Sequence, residues 1–95
     1  MNIYISGPMT GHDNFNFAAF FEAEERLRCE GHNPINPARH PQGLSYQEYI
    51  NLDLETIAIM ADALLMLPGW EQSKGAKLER ELAEKLKLEI IEVTK

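Results

Sequence analysis

The sequence has little cysteine, few basic residues and no long apolar run. Its single cysteine, Cys29, cannot form an internal disulfide bond, which favours a reducing compartment. We expect Cys29 to be a small buried side chain late in a helix. Nine lysine and arginine residues against fifteen aspartate and glutamate residues give a net charge of −6. This acidity argues against a DNA or RNA polymer as partner, because a nucleic-acid footprint needs a basic surface.

Targeting, membrane and metal signals are also missing. The N-terminal stretch lacks the basic start and apolar core of a signal peptide. No run approaches the ~18 apolar residues of a membrane-spanning helix, so we expect a cytoplasmic protein without a membrane partner. The histidines, His12, His32 and His40, have no metal-ligand spacing. We therefore expect neither a metal site nor a cofactor.

What the sequence does contain is an alternation of predicted strands and helices along one domain, residues 1–95. Strands are predicted at residues 3–6, 33–37, 63–67 and 89–93, and the helices follow the candidate N-caps Asn16, Ser45 and Ser73. Phe15 and Phe20 have the spacing of a hydrophobic staple around the first helix. Such alternation indicates right-handed βαβ crossovers. The predicted fold is α/β: a flavodoxin-like three-layer sandwich with a small four-stranded parallel sheet in the order 2-1-3-4.

Three segments are expected to surround one crevice, because ligands of such sheets bind beyond the carboxyl ends of the strands. They are the loop from Ser6 to Gly11, the pair Asn36-Pro37 and the loop from Pro68 to Ser73. Two of these loops have the composition to present backbone N–H groups to an anion. Their spacing matches neither a P-loop nor a dinucleotide fingerprint, so ordinary turn chemistry is the alternative.

Glu79 is the first candidate for chemistry. On the third predicted helix it lies one turn before Leu82 and Ala83, so it shares the apolar face that packs on the sheet, whereas Glu81 belongs to the solvated face. An inward carboxylate near a helix N-terminus is a candidate nucleophile or base. The alternative is a half-exposed carboxylate stabilised by the helix dipole.

Three further side chains border the expected crevice. Asp53 lies at the edge of the buried face of the second helix, where an ordinary boundary aspartate is the alternative. Tyr4 lies on the first strand, either as a core tyrosine or with its hydroxyl group reaching the crevice. Trp70 follows the third strand and either stacks on a base or closes the core.

Four segments spread over nearly the whole chain carry a family pattern. They are Ile3-Tyr4-Ile5-Ser6-Gly7-Pro8-Met9-Thr10-Gly11, Asn36-Pro37, Asp53-Leu54 leading to Ala61-Asp62-Ala63-Leu64-Leu65, and the stretch 67–79. Together they resemble the nucleoside 2-deoxyribosyltransferase superfamily, closest to its small, phage-type, mostly uncharacterised branch. The opening segment and the block Gly-x-x-x-Glu-x-x-x-Ala at Gly75, Glu79 and Ala83 are fairly specific to that branch.

The resemblance implies a role for particular residues. The glutamate nucleophile of the family falls on Glu79, its aspartate near the base on Asp53 and its strand tyrosine on Tyr4. Ser73 stands where the members that hydrolyse deoxynucleoside monophosphates contact phosphate. Together with the crevice, this selects as substrate-binding residues Ser6, Gly7, Pro8, Thr10, Gly11, Asn36, Trp70, Ser73, Lys74 and Gly75.

The chemistry that the resemblance implies is covalent catalysis on an N-glycosidic bond of a small-molecule nucleoside or nucleotide. Glu79 attacks the anomeric carbon of 2-deoxyribose while Asp53, or a bound water, protonates the leaving base. The deoxyribosyl ester then passes to water or to a second base. Two carboxyl groups with different roles resemble the retaining glycosidase scheme, with roughly 5 Å between them. We also expect a homo-oligomer.

Several alternatives stay open at the level of sequence. Thr10 stands where the phosphate-specific hydrolases carry an arginine, so the need for phosphate is undecided, with Lys74 or Arg39 as substitutes. The family completes its site with segments after the fourth strand, and this chain ends at Lys95, so we expect a more open crevice. A nucleotide-binding module without turnover would use the same loops. A protein-interaction domain would need an apolar patch, for which the candidates are Phe15, Phe17, Phe21, Tyr46 and Tyr49.

Overall fold

The computed structural model describes residues 1–9, 11–41 and 43–93, and within them four parallel strands form one sheet. The strands are β1 (Asn2–Ser6), β2 (Asn33–Ile35), β3 (Ala63–Met66) and β4 (Glu89–Glu92), and the helices are α1 (Phe17–Cys29), α2 (Tyr46–Met60) and α3 (Lys74–Lys85). Short 3₁₀ helices occupy Asp13–Asn16, Pro37–Arg39 and Trp70–Gln72. The strand order β2-β1-β3-β4 confirms the predicted topology. No helix of the described residues is long and apolar enough to cross a membrane.

Alternation along β1 separates the two faces of the sheet. Ile3 and Ile5 are fully buried on the side of α1, where they pack with Phe20. Tyr4 is buried on the opposite side, which α2 and α3 cover, and Ser6 follows it at the same two-residue period. The three layers of the predicted α/β sandwich are therefore α1, the sheet, and the pair α2 and α3.

All three helices begin directly after the predicted N-cap residues, and in two of them the side chain of that residue makes a capping hydrogen bond. Ser45 forms a full capping box with Glu48, with hydrogen bonds of 2.8 and 3.2 Å. The hydroxyl group of Ser73 accepts from the backbone N–H three residues later, at 3.1 Å. Asn16 occupies the N-cap position of α1 but has a φ of 61° and no capping hydrogen bond. Its amide donates instead to the carbonyl oxygen of Pro8 at 2.9 Å.

Two predictions of burial at the ends of α1 are wrong. Cys29 is exposed, because the buried face of the helix runs through Ala23 and Leu27 and position 29 points away from it. Phe15 is 54% exposed and contacts the ring of Phe17 at 5.9 Å, so it does not staple the helix to the core. Neither correction concerns the face of the sheet that carries the candidate site.

Candidate active site

Glu79 is the buried carboxyl group around which polar side chains gather on the α2 and α3 side of the sheet. It lies in the second turn of α3 and is 6% exposed. The hydroxyl group of Tyr4 donates to its Oε2 at 2.9 Å, and that of Ser6 donates to its Oε1 at 2.6 Å. Because Tyr4 and Ser6 are two residues apart on β1, strand alternation places both hydroxyl groups on the same side. Each carboxyl oxygen of Glu79 therefore has its own donor.

Asp53 brings a second carboxyl group to Glu79 from the neighbouring helix. It lies on α2, and its negative charge helps to raise the pKa of both Glu79 and Tyr4. Close packing of α2 and α3 assists this approach, because a Cβ atom at Gly75 would lie 3.2 Å from Cδ1 of Ile50. This packing of α2 against α3 places the carboxyl group of Asp53 where its charge acts on Glu79.

Burial and the crowding of negative charge raise the pKa of Glu79 to about 8. Burial is the first cause and the charge of Asp53 the second, while the hydrogen bonds from Ser6 and Tyr4 lower the pKa because they stabilise the ionised form. Burial, and then the charges of Glu79 and Asp53, raise the pKa of Tyr4, so its phenol stays protonated and keeps donating. Near neutral pH Glu79 therefore keeps a proton that it can share with the neighbouring carboxyl group.

His40 belongs to the site although no sequence pattern predicted it. Its Nδ1 lies 2.9 Å from Oδ1 of Asp53, and the two side chains are 16% and 14% exposed. Neither atom has an aligned hydrogen-bond partner among the described residues, so the contact is an electrostatic one. Only its position along the chain could have indicated that His40 belongs to the site. His40 follows Asn36-Pro37, which the sequence already placed at the carboxyl edge of the sheet.

The predicted binding residues after β1 have structural reasons for their identity. A Cβ atom at Gly7 would lie 2.8 Å from Cβ of Leu67, so the chain ends of β1 and β3 approach closely only with glycine there. Pro8 is buried, and Gly11 turns the chain with a φ of 86°. Thr10 lies outside the described residues. The predicted contacts of these residues with a substrate stay predictions.

The predicted binding residues after β3 surround the start of α3. Trp70 is half-buried, and the guanidinium group of Arg80 lies 4.5 Å from the centre of its ring. Arg80 also lies 3.3 Å from a carboxylate oxygen of Glu92. Ser73 caps α3, and Lys74 beside it is exposed. The guanidinium group of Arg80 therefore covers at least one face of the Trp70 ring.

Asn36 lies apart from the carboxyl pair, on the side of α1. It is 5% exposed; its amide donates to Glu24 at 3.3 Å and its oxygen accepts from the backbone N–H of Ala38 at 2.9 Å. Arg39 donates two hydrogen bonds of 2.7 Å to Glu24. Those bonds from Arg39 lower the pKa of Glu24 to about 2. This cluster holds the segment that leads to His40.

Two grooves of about 250 and 200 Å³ lie on the other face of the sheet, between α1 and the end of the chain. Their linings include Leu27, Leu65 and Val93 and contain none of the residues that gather at Glu79. The carboxyl cluster is therefore the candidate site, because there several polar side chains converge on one buried group. Within the described part of the chain, no group of three histidine, cysteine, aspartate or glutamate side chains is arranged to hold a metal ion.

Fold and site together define a small flavodoxin-like α/β protein with a pair of carboxyl groups between its sheet and two helices. The chain belongs to the family described as Domain of unknown function (DUF4406), whose model matches residues 1–92. A search of curated proteins gives no match. The match includes the whole carboxyl cluster. Since the description of the family names no activity, a function has to be argued from the site.

Proposed function

We propose that this protein cleaves or transfers the N-glycosidic bond of a 2'-deoxynucleoside or its 5'-monophosphate, with Glu79 as nucleophile. The observation that carries the proposal is a buried carboxyl group with a hydroxyl donor on each oxygen and the carboxyl group of Asp53 beside it. The resemblance of the sequence to nucleoside 2-deoxyribosyltransferases supports the choice of substrate. That resemblance and the geometry select Glu79 independently.

The first step forms a bond from an oxygen of Glu79 to the anomeric carbon. The C–N bond to the base breaks, its electron pair goes to the base nitrogen, and Asp53 supplies the proton. In the second step water, or a second base, attacks the anomeric carbon. The ester bond breaks, its electron pair returns to Glu79, and the proton of the attacking group goes to Asp53. The carboxyl pair is then in its initial state.

The reactive arrangement has Glu79 ionised and the shared proton on Asp53. In the free protein the raised pKa of Glu79 favours the opposite arrangement. The hydroxyl groups of Tyr4 and Ser6 act against that preference, because they donate to the ionised carboxylate. They also fix the direction of the carboxylate, so that little reorganisation is needed when the substrate enters.

A chromatographic assay tests the proposal. The protein is incubated with the common deoxynucleosides and their 5'-monophosphates, with and without an acceptor base. We expect free or exchanged base with wild type and with Glu81→Ala, which alters the solvated face of α3, and no product with Glu79→Ala. Equal product from Glu79→Ala would rule out the nucleophile. Product from monophosphates alone would answer the question that Thr10 leaves open.

A second candidate function is nucleotide binding without turnover. The observation that favours it is the raised pKa of Glu79, because a neutral carboxyl group donates a hydrogen bond to a ligand oxygen and is a poor nucleophile. A binding function would be recognised by an increase of the thermal unfolding midpoint, Tm, with deoxynucleotides at pH 7, without release of base over long incubation. The same increase accompanied by base release would favour the enzyme.

We also infer that the protein is a homo-oligomer. Supporting this, Ile59, Met60 and Leu86 are 72%, 48% and 45% exposed, and such apolar side chains are typical of surfaces that associate. Light scattering coupled to size exclusion measures the mass directly. A monomer at high concentration would contradict the inference.

A further inference from the structure

We propose that His40 is a positioning residue that acts through Asp53 to decide which of the two carboxyl groups carries the shared proton. The effect of His40 on Asp53 and Glu79 is a property of the free protein and needs no substrate. Its meaning for turnover rests on the proposed function, in which Glu79 must be ionised when Asp53 holds the proton. His40 does not need to touch the substrate for this role.

The contact between His40 and Asp53 is short and largely buried from solvent. Nδ1 and Oδ1 are 2.9 Å apart, both side chains are at least four-fifths covered, and neither atom has another hydrogen-bond partner in the described ranges. The pair is not aligned as a good hydrogen bond. A Coulomb interaction at this distance needs no alignment, and with little water between the groups it is weakly screened. The charge of the imidazole therefore acts on Asp53 directly.

The segment that carries His40 is fixed on both sides. Arg39 makes its paired hydrogen bonds to the buried Glu24, and the hydroxyl group of Tyr49 donates to the carbonyl oxygen of Pro41 at 2.9 Å. The backbone N–H of His40 itself donates to the carbonyl oxygen of Pro37 at 3.0 Å. A side chain between two anchored neighbours is held in place rather than resting against Asp53 by chance.

The charges around Asp53 determine the direction of the effect. Tyr4 from β1 and Glu79 from α3 face it, and His40 faces it from the segment after the 3₁₀ helix Pro37–Arg39. A protonated imidazole stabilises ionised Asp53 and so keeps the shared proton on Glu79, where it blocks attack. A neutral imidazole removes that stabilisation and makes the proton available to Asp53. The charge of the imidazole therefore decides which of the two carboxyl groups holds the proton.

Carbon-13 NMR of the side-chain carboxyl groups tests the relation without any substrate. We would titrate wild type, His40→Asn and His12→Asn over roughly pH 5 to pH 8. Asparagine places a polar atom near the position of Nδ1 but does not titrate, and His12 is an exposed histidine. In wild type and His12→Asn, the Asp53 and Glu79 resonances should move in opposite directions as the proton passes between them. In His40→Asn this opposed movement should disappear.

Two results would overturn the role of His40. One is the absence of opposed movement in wild type, which needs no variant to fold. The other is the same opposed movement in His40→Asn. If base release is found, a kinetic measurement adds to this: kcat of wild type should fall about tenfold between pH 7.5 and pH 5.5, and that of His40→Asn less than twofold. If no base is released, the proposed function fails, while the NMR result still decides the relation between His40 and Asp53.

Discussion

Two buried glutamates, one on each face of the sheet, have opposite surroundings. Glu24 is 4% exposed and Glu79 is 6% exposed. Arg39 donates two hydrogen bonds to Glu24, and the pKa of Glu24 falls to about 2. Glu79 has two neutral donors and a second carboxyl group, and its pKa rises to about 8. Equal burial therefore does not imply an equal role.

The difference lies in what each carboxyl group is prepared to do. Paired with a cation, Glu24 is ionised at any physiological pH, and it holds the segment from Asn36 to Arg39 against α1. Glu79 forms no ion pair with any lysine or arginine that the structure describes. No cation among the described residues holds Glu79 in its ionised form, and under the proposed function its proton passes to Asp53.

The largest expected effect separates activity from stability at Glu79. Glu79→Gln should lower kcat by about a thousandfold or more, because an amide is not a nucleophile. The fold should survive, since the amide and the two hydroxyl groups still form hydrogen bonds. Activity assays with thermal unfolding check this, with Glu81→Gln as the matched control on α3. An inactive variant that also unfolds would leave Glu79 with a structural role like that of Glu24.

The second prediction concerns stability against pH. Since folding raises the pKa of Glu79 from its ordinary value to about 8, the unfolded chain releases a proton that the folded protein keeps. The free energy of unfolding should therefore fall by about 1 kcal/mol per pH unit from pH 5 towards pH 8. Denaturant unfolding of wild type and Glu79→Gln measures it. The slope should be absent in the variant, and an equal slope in both would contradict the assignment.

The contribution of Glu24 to the free energy of unfolding should depend on pH in the opposite direction, with a smaller effect. Its pKa is lowered on folding to about 2, so its contribution is complete above its ordinary pKa and is lost as the pH falls from about 4.5 towards 2. Glu24→Gln should cost about 2 kcal/mol at pH 7 and much less at pH 3. Urea unfolding at both values, beside the exposed-site control Glu55→Gln, tests this. A loss of unfolding free energy that is the same at both pH values would show that packing, and not the charge of Glu24, dominates its contribution to stability.

The smallest expected effect comes from the donors to Glu79. Ser6→Ala and Tyr4→Phe each remove one hydroxyl group that stabilises the ionised carboxylate. Each should reduce kcat by about tenfold, because the pKa of Glu79 increases further and the shared proton stays on Glu79 instead of passing to Asp53. Tyr46→Phe, at an exposed tyrosine, is the control. An undiminished kcat in both donor variants would separate these hydroxyl groups from the ionisation of Glu79.

The fold was predictable because the apolar patterns and the capping residues of the sequence indicate the same strands and helices. The continuous apolar run at residues 63–67 indicates a central strand, and the capping residues Ser45 and Ser73 mark where α2 and α3 begin. The inward direction of Glu79 follows from helical periodicity. That of Tyr4 and Ser6 follows from strand alternation once Ile3 and Ile5 face α1.

The rest of the site depends on contacts between distant segments. His40 and Asp53 belong to different elements, and no periodicity relates them. Asn36 was placed correctly at the end of β2, but the side to which its amide points depends on Glu24 of α1. The raised pKa of Glu79 likewise needs the burial and the approach of Asp53, neither of which a local pattern provides.

The most direct test of the central claim is to trap the ester on Glu79. Wild type would be mixed with the deoxynucleosides and monophosphates, quenched in acid and measured by intact-protein and peptide mass spectrometry, beside Glu79→Gln. The account predicts released base together with a deoxyribosyl increment on the peptide that contains Glu79, and neither in the variant. Base release without that increment at any quench time, or an increment on another residue, would contradict it.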